Sequence, residues 1–185
     1  DQFGRIDVLI NNAGDAAFGH SIETPDEGWA EIFDINLWSV IRMCRLVVPI
    51  MREQGGGVIL NNASTSGHTP LPGSIDYSAA KAAVINMTKT MAMEEAPNNI
   101  RVNAFNPALI RTPLWEKVAE ETLVGVYGDS VDEVFKNLAA QYLLMPRYGR
   151  PDEVSGIVAL MASDRASFTT GACWNIDGGL TRFMI

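Results

Sequence analysis

Apolar residues along this chain fall into two rhythms. Residues 6–11, 57–62, 101–106 and 173–176 form short runs rich in Val, Ile, Leu or aromatic residues, with few charges and Asn, Gly or Pro at or near their ends. Apolar runs without alternation suit strands of a parallel sheet covered on both faces. Between them apolar positions return at helical spacing, so strand and helix alternate in the order of an α/β fold with right-handed crossovers. Thr24-Pro25-Asp26-Glu27 reads as a helix start, with Thr24 as the cap, Pro25 in the first helical position and Glu27 three residues after the cap. Trp29, Ile32, Phe33, Asn36 and Leu37 continue the pattern, which predicts a helix to about residue 53, kinked at Pro49 and stopped by Gly55-Gly56-Gly57. A second helix is predicted over 75–96, with Ala79, Ala83, Met87 and Met91 as one stripe, and a third from Pro151 to about residue 161. The stretch from Pro107 to Arg150 holds two weaker helices, near 114–122 and 131–143, and reads as a lid-like insertion in a single domain spanning 1–185. Trp115 and Tyr148 within it are candidate substrate walls.

Composition narrows the function classes. With 47% hydrophobic residues over 185 positions the chain can bury a core, which argues against intrinsic disorder. Lys plus Arg total 14 against 22 Asp plus Glu, a net charge of −8, and that balance argues against nucleic-acid partners. No apolar run is long enough to span a membrane and no basic-then-apolar leader opens the sequence, so a cytoplasmic location is expected. Cys44 and Cys173 read as reduced thiols in such a compartment. His20 and His68 are solitary, with no Cys or carboxylate at ligand spacing, so no metal is expected.

Tyr77-Ser78-Ala79-Ala80-Lys81 places a phenol and an ammonium four residues apart, one turn apart on the same helical face. A free tyrosine titrates near ~10, and a neighbouring ammonium favours the phenolate, which makes Tyr77 a candidate acid/base. Ser64 follows a predicted strand, at the carboxyl edge of the sheet where open α/β folds bind ligands, and its hydroxyl can hydrogen-bond a substrate oxygen. Asn11-Asn12-Ala13-Gly14 ends the preceding strand at the same edge. Asn36 interrupts an otherwise apolar helical face, where a buried amide needs a partner.

These residues resemble the short-chain dehydrogenase/reductase family in its Asn-Ser-Tyr-Lys form. Asn106-Pro107-Ala108, Thr112-Pro113, Arg147-x-Gly149-x-Pro151-x-Glu153-Val154 and Asp177-Gly178-Gly179 extend the resemblance along the whole chain. The resemblance implies an oxidoreductase that transfers hydride between NAD or NADP and a secondary alcohol or ketone. In it, Tyr77 exchanges the substrate proton, Lys81 lowers the tyrosine pKa and holds ribose hydroxyls, Ser64 orients the substrate oxygen, and Asn36 anchors a water behind Lys81. Asn12, Ala13 and Gly14 would line the cofactor's ribose side, with Pro107, Ile110 and Thr112 near the nicotinamide. The predicted helices 24–53 and 75–96 resemble those that pair in the family's homodimers and homotetramers.

Two features depart from the family pattern. Ala108 stands where glycine is usual, a methyl group the pocket is expected to tolerate. No glycine-rich turn follows a first strand to receive a pyrophosphate, since Gly55-Gly56-Gly57 precedes a strand. The reading is therefore a Rossmann-like parallel sheet with helices on both faces, incomplete at its N-terminal half, whose 6–11 strand is an open edge. Weak or no cofactor binding is expected. A non-catalytic interaction module on the same scaffold is the competing function.

Overall fold

The computed structural model describes residues 4–16, 18–70 and 72–181; residues 1–3, at the sequence's opening, lie outside it. Strands β1 (Val8–Asn11), β2 (Gly57–Asn62), β3 (Ile100–Pro107) and β4 (Cys173–Ile176) form a parallel sheet whose spatial order follows the chain. The helices are α1 (Asp26–Phe33), α2 (Ser39–Glu53), α3 (Ile75–Glu95), α4 (Pro113–Val118), α5 (Val131–Tyr142) and α6 (Pro151–Ala162). β1 starts two residues later than its apolar run because the Gln54 side-chain amide occupies the Ile6 backbone, accepting its N–H at 3.1 Å and donating to its carbonyl at 2.7 Å.

Both faces of the sheet are covered, as unbroken apolar runs require. Leu9, Ile59, Val102 and Ala104 point to one face, where they pack with Val40, Val47 and Met51 of α2 and with Val84 and Ala92 of α3. Leu60 and Phe105 point to the other, against Met161 of α6. Each large side chain buried this way contributes ~1.5–3 kcal/mol. β1 is an edge strand among the described residues, and Val8 and Ile10 on its α6 side stay 38% and 45% exposed. The segment after β3 builds its own cluster from Leu109, Val134, Phe135, Leu138 and Tyr148.

Several local expectations are corrected. Pro25, not Thr24, takes the N-cap position of α1, and no side chain caps that end; Thr24 Oγ1 instead accepts the Ser21 N–H at 2.9 Å. The long helix continues past Pro49 to Glu53 as expected, but a π-type turn at Asp34–Trp38, which the pattern did not predict, divides it into α1 and α2. The stop at Gly55 and Gly56 is as expected. The Gly56 N–H reaches Met51 O at 2.9 Å and the Gly55 N–H reaches Arg52 O at 3.3 Å, with Gly55 at φ 88°. On α3 the buried face is Lys81, Val84, Thr88, Ala92 and Glu95, whereas Ala79 is exposed and Ala83, Met87 and Met91 flank the core half-buried.

Candidate active site

Three connections at the carboxyl edge of the sheet enclose a cavity of about 530 Å³. β1 delivers Asn12 and Gly14 to it, β2 delivers Ser64, and β3 delivers Pro107 and then Ile110 and Thr112. Asn36, Tyr77 and Lys81 enter from the helices, so the four polar residues expected to act together line one space. Ala13 adjoins the cavity without lining it.

The strand ends are held by a buried polar chain that the sequence pattern did not reveal. Asn11 Nδ2 donates to Asn61 Oδ1 across the β1–β2 pair at 2.8 Å, Asn61 Nδ2 donates to Thr88 Oγ1 at 2.9 Å, and the Thr88 hydroxyl donates to Val84 O at 2.8 Å. Each amide or hydroxyl is satisfied, so the chain ties two strands to α3 without a desolvation debt.

Ser64 is buried, accepts the Ser66 N–H at 3.1 Å and shares a hydrogen bond with the Tyr77 phenol. Tyr77 is half-buried. Burial pushes its phenol above the ordinary tyrosine value, and the Ser64 hydrogen bond offsets only part of that rise. This differs from the expectation of a depressed tyrosine. The Lys81 ammonium lies 5.5 Å from the ring centroid. Lys81 itself is 2% exposed, donates to Asn62 O at 2.8 Å, and is brought down by burial to about 8.

Asn36 sits inside the π-type turn. Its Nδ2 donates to Ile32 O at 2.9 Å and to Asp15 O at 2.8 Å, which joins the helix to the loop after β1. Its Oδ1 is buried with no partner among the described residues. A Cβ at Gly14 would lie 2.9 Å from that oxygen and 3.4 Å from Lys81 Nζ, so glycine keeps both groups open to one space.

The insertion contributes Thr112, whose Oγ1 caps α4 by accepting the Trp115 N–H at 3.3 Å, and Trp115 lines the cavity. Tyr148 does not line it. That ring stands behind Trp115, 6.3 Å away, and against Phe135 at 4.4 Å, which corrects the expectation of a substrate wall. The Arg147–Gly149–Glu153 segment acts as scaffold. Arg147 grips Glu153 through two hydrogen bonds of 2.7 and 2.8 Å, and the Gly149 backbone pairs with Leu109 and Arg111 around Ile110. Ala108 lines the cavity. Asp15, Phe18 and the α6 residue Val158 also line it; they carry no motif and went unnoticed in the sequence, whereas Val154, which lines it too, closes the Arg147–Val154 motif. His20, read as solitary, has a carboxylate partner 56 residues away in Asp76.

A parallel α/β sheet with Ser, Tyr, Lys and Asn gathered at its carboxyl edge is the frame of a dinucleotide-dependent oxidoreductase. Residues 1–181 match the family model described as enoyl-(acyl carrier protein) reductase. A 3-oxoacyl-[acyl-carrier-protein] reductase of Thermotoga maritima is 39% identical over 97% of this chain and 68% of its own length. A dehydrogenase/reductase SDR family member 4 of Caenorhabditis elegans is 36% identical over 97% of this chain and 66% of its own. The crystal structure of L-sorbose reductase from Gluconobacter frateurii, complexed with NADPH and L-sorbose, superposes with a TM-score of 0.92 at 35% identity, over 98% of this chain and 69% of that one. The chain belongs to the short-chain dehydrogenase/reductase family, whose members are NAD(P)-dependent oxidoreductases. It spans about two thirds of the length of these relatives. Among the described residues no helix is long and apolar enough to cross a membrane.

Proposed function

We propose that these residues form the substrate and nicotinamide site of an oxidoreductase acting on a secondary alcohol or ketone, with Tyr77 exchanging the proton of the substrate oxygen. The observation that carries this reading is the convergence of Ser64, Tyr77, Lys81 and Asn36 on one cavity, with the Tyr77 phenol hydrogen-bonded to Ser64. Ser64 orients the substrate oxygen. Lys81 places a positive charge one turn from the phenol and offers ribose hydroxyls its remaining N–H groups. Asn36 Oδ1, buried and unpartnered, is suited to accept from a water in a relay behind Lys81.

The residues present fit the nicotinamide-ribose portion of NAD or NADP. Gly14 spares Asn36 Oδ1 and Lys81 Nζ the crowding a side chain would bring, and Asn12, Pro107, Ile110 and Thr112 line the same cavity. Bound there, the cofactor supplies or accepts hydride, while the protein fixes position and electrostatics. The pyrophosphate is a different matter. None of the described strand-to-helix connections carries the glycine-rich turn that receives it, so the 185 residues alone are expected to bind dinucleotides weakly. Calorimetry with NAD(H) and NADP(H) is expected to give dissociation constants above the micromolar range. Micromolar affinity for either would overturn this part of the reading.

A homodimer or homotetramer is the proposed assembly. Met43, Leu46 and Ile50 of α2 are 42%, 66% and 41% exposed, and Ile75 and Met93 of α3 are 38% and 72% exposed. Such apolar helix surfaces suit burial against a second copy. Native mass spectrometry at micromolar concentration is expected to show dimers or tetramers; monomer alone would refute the assembly.

A further inference from the structure

We propose that His20 and Asp76 form a positioning pair that fixes the first turn of α3, and with it the Tyr77 phenol, against the loop that carries Phe18 into the cavity. Neither member lines the cavity, so the pair acts through its neighbours. The Asp76 side chain is fully buried. Its Oδ2 lies 2.6 Å from His20 Nδ1, and its Oδ1 accepts the Tyr77 N–H at 2.8 Å. One carboxylate thus joins the backbone of the proton-exchanging residue to a side chain from the β1–α1 loop.

The same contact is reinforced along the main chain. The His20 N–H donates to Gly73 O at 3.1 Å, and His20 pairs with Ser74 in an isolated parallel bridge. Two residues before His20, the Phe18 ring meets Trp115 edge-on, with centroids 5.4 Å apart, and both rings line the cavity. The strap from Asp76 to His20 therefore reaches the aromatic wall as well as Tyr77.

A carboxylate removed from water is costly unless its oxygens are engaged. The first turn of α3 favours it through the helix dipole, but His20 supplies the side-chain donor. His20 is itself 28% exposed, so shortening it opens no core cavity, and its removal reads out the pair rather than packing.

The inference rests on the redox reading only for its catalytic meaning; its test needs no turnover. In the chain labelled with ring-¹³C tyrosine, with Tyr77 assigned from Tyr77→Phe, His20→Ala is expected to shift the Tyr77 ring resonance. It is also expected to speed exchange of the Tyr77 amide hydrogen about tenfold. His20→Asn, which keeps an N–H donor near the place of Nδ1, is expected to restore both signals. Arg101→Ala serves as control, because it removes hydrogen bonds to Met161 O and Ser163 O at the far end of α6 and destabilises without touching the pair. Asp76→Ala reads the same signals from the other partner and should move them at least as far. Unmoved Tyr77 signals in His20→Ala and Asp76→Ala, or equal movement in the Arg101→Ala control, would overturn the proposal. A Tyr77→Phe variant that kept its turnover would end the acid/base role of Tyr77 and leave these signals to be judged alone.

Discussion

Tyr77→Phe is expected to lower NAD(P)-linked turnover of a secondary alcohol by about 10³-fold while leaving the fold intact. Phenylalanine keeps the ring near the Lys81 ammonium and loses only the hydroxyl that bonds Ser64. Stability should therefore change by less than ~1 kcal/mol. The clean comparison uses the 185-residue chain alone and joined to the segment of the Thermotoga maritima reductase that the 179 matched positions leave out. The joined form is expected to turn over faster, and the substitution to abolish that gain. Burial holds the phenol protonated at neutral pH, which suits it to donate a proton to the alkoxide formed in reduction. Oxidation needs the phenolate, so the oxidative rate should climb with pH. Turnover of Tyr77→Phe within a few-fold of the parent would end the acid/base assignment, whereas a joined form with no turnover at all would favour the non-catalytic module.

The alternation of strand and helix was legible because the strands are buried on both faces and their apolar runs are unbroken. The faces of the helices were less legible. α3 turns Asp76, Lys81, Thr88 and Glu95 inward, each satisfied by a group far away in sequence: His20, Asn62 O, Asn61 and Arg52. Hydropathy counting prices such residues as exposed, so it chose the Ala79–Met91 stripe. The π-type turn at Asp34–Trp38 was invisible for a related reason, since the Asn36 amide is held partly by Asp15 O, a tertiary contact that helical periodicity does not encode. Of the candidate site residues, Asn12, Gly14, Asn36, Ser64, Tyr77, Lys81, Pro107, Ile110 and Thr112 line the cavity and Ala13 does not. Phe18 and Val158 line it through topology alone, and no spacing rule marks them.

Lys81→Met is expected to make the protein more stable and less active. In the unfolded chain the amine keeps its proton up to the ordinary lysine value of 10.5, but in the folded chain burial releases it at about 8. Between those values the folded state binds fewer protons, so stability rises with pH there; below about 8 the full penalty applies. The shift corresponds to about 3 kcal/mol. Methionine removes the charge but also the hydrogen bond to Asn62 O, which returns about 1–2 kcal/mol of that gain. The net expectation is a gain of about 1–2 kcal/mol at pH 7, or some 3–6 °C in melting temperature. Thermal melts from pH 7 to 10 should show the advantage shrinking as the parent loses its buried charge. Under the proposed function the cost is a trade of stability for activity, since an ammonium one turn from Tyr77 would stabilise the phenolate through which the proton passes. A Lys81→Met protein that melts below the parent at pH 7 would show that Lys81 is not held against its solvation energy, and that its place beside Tyr77 needs a purely structural explanation.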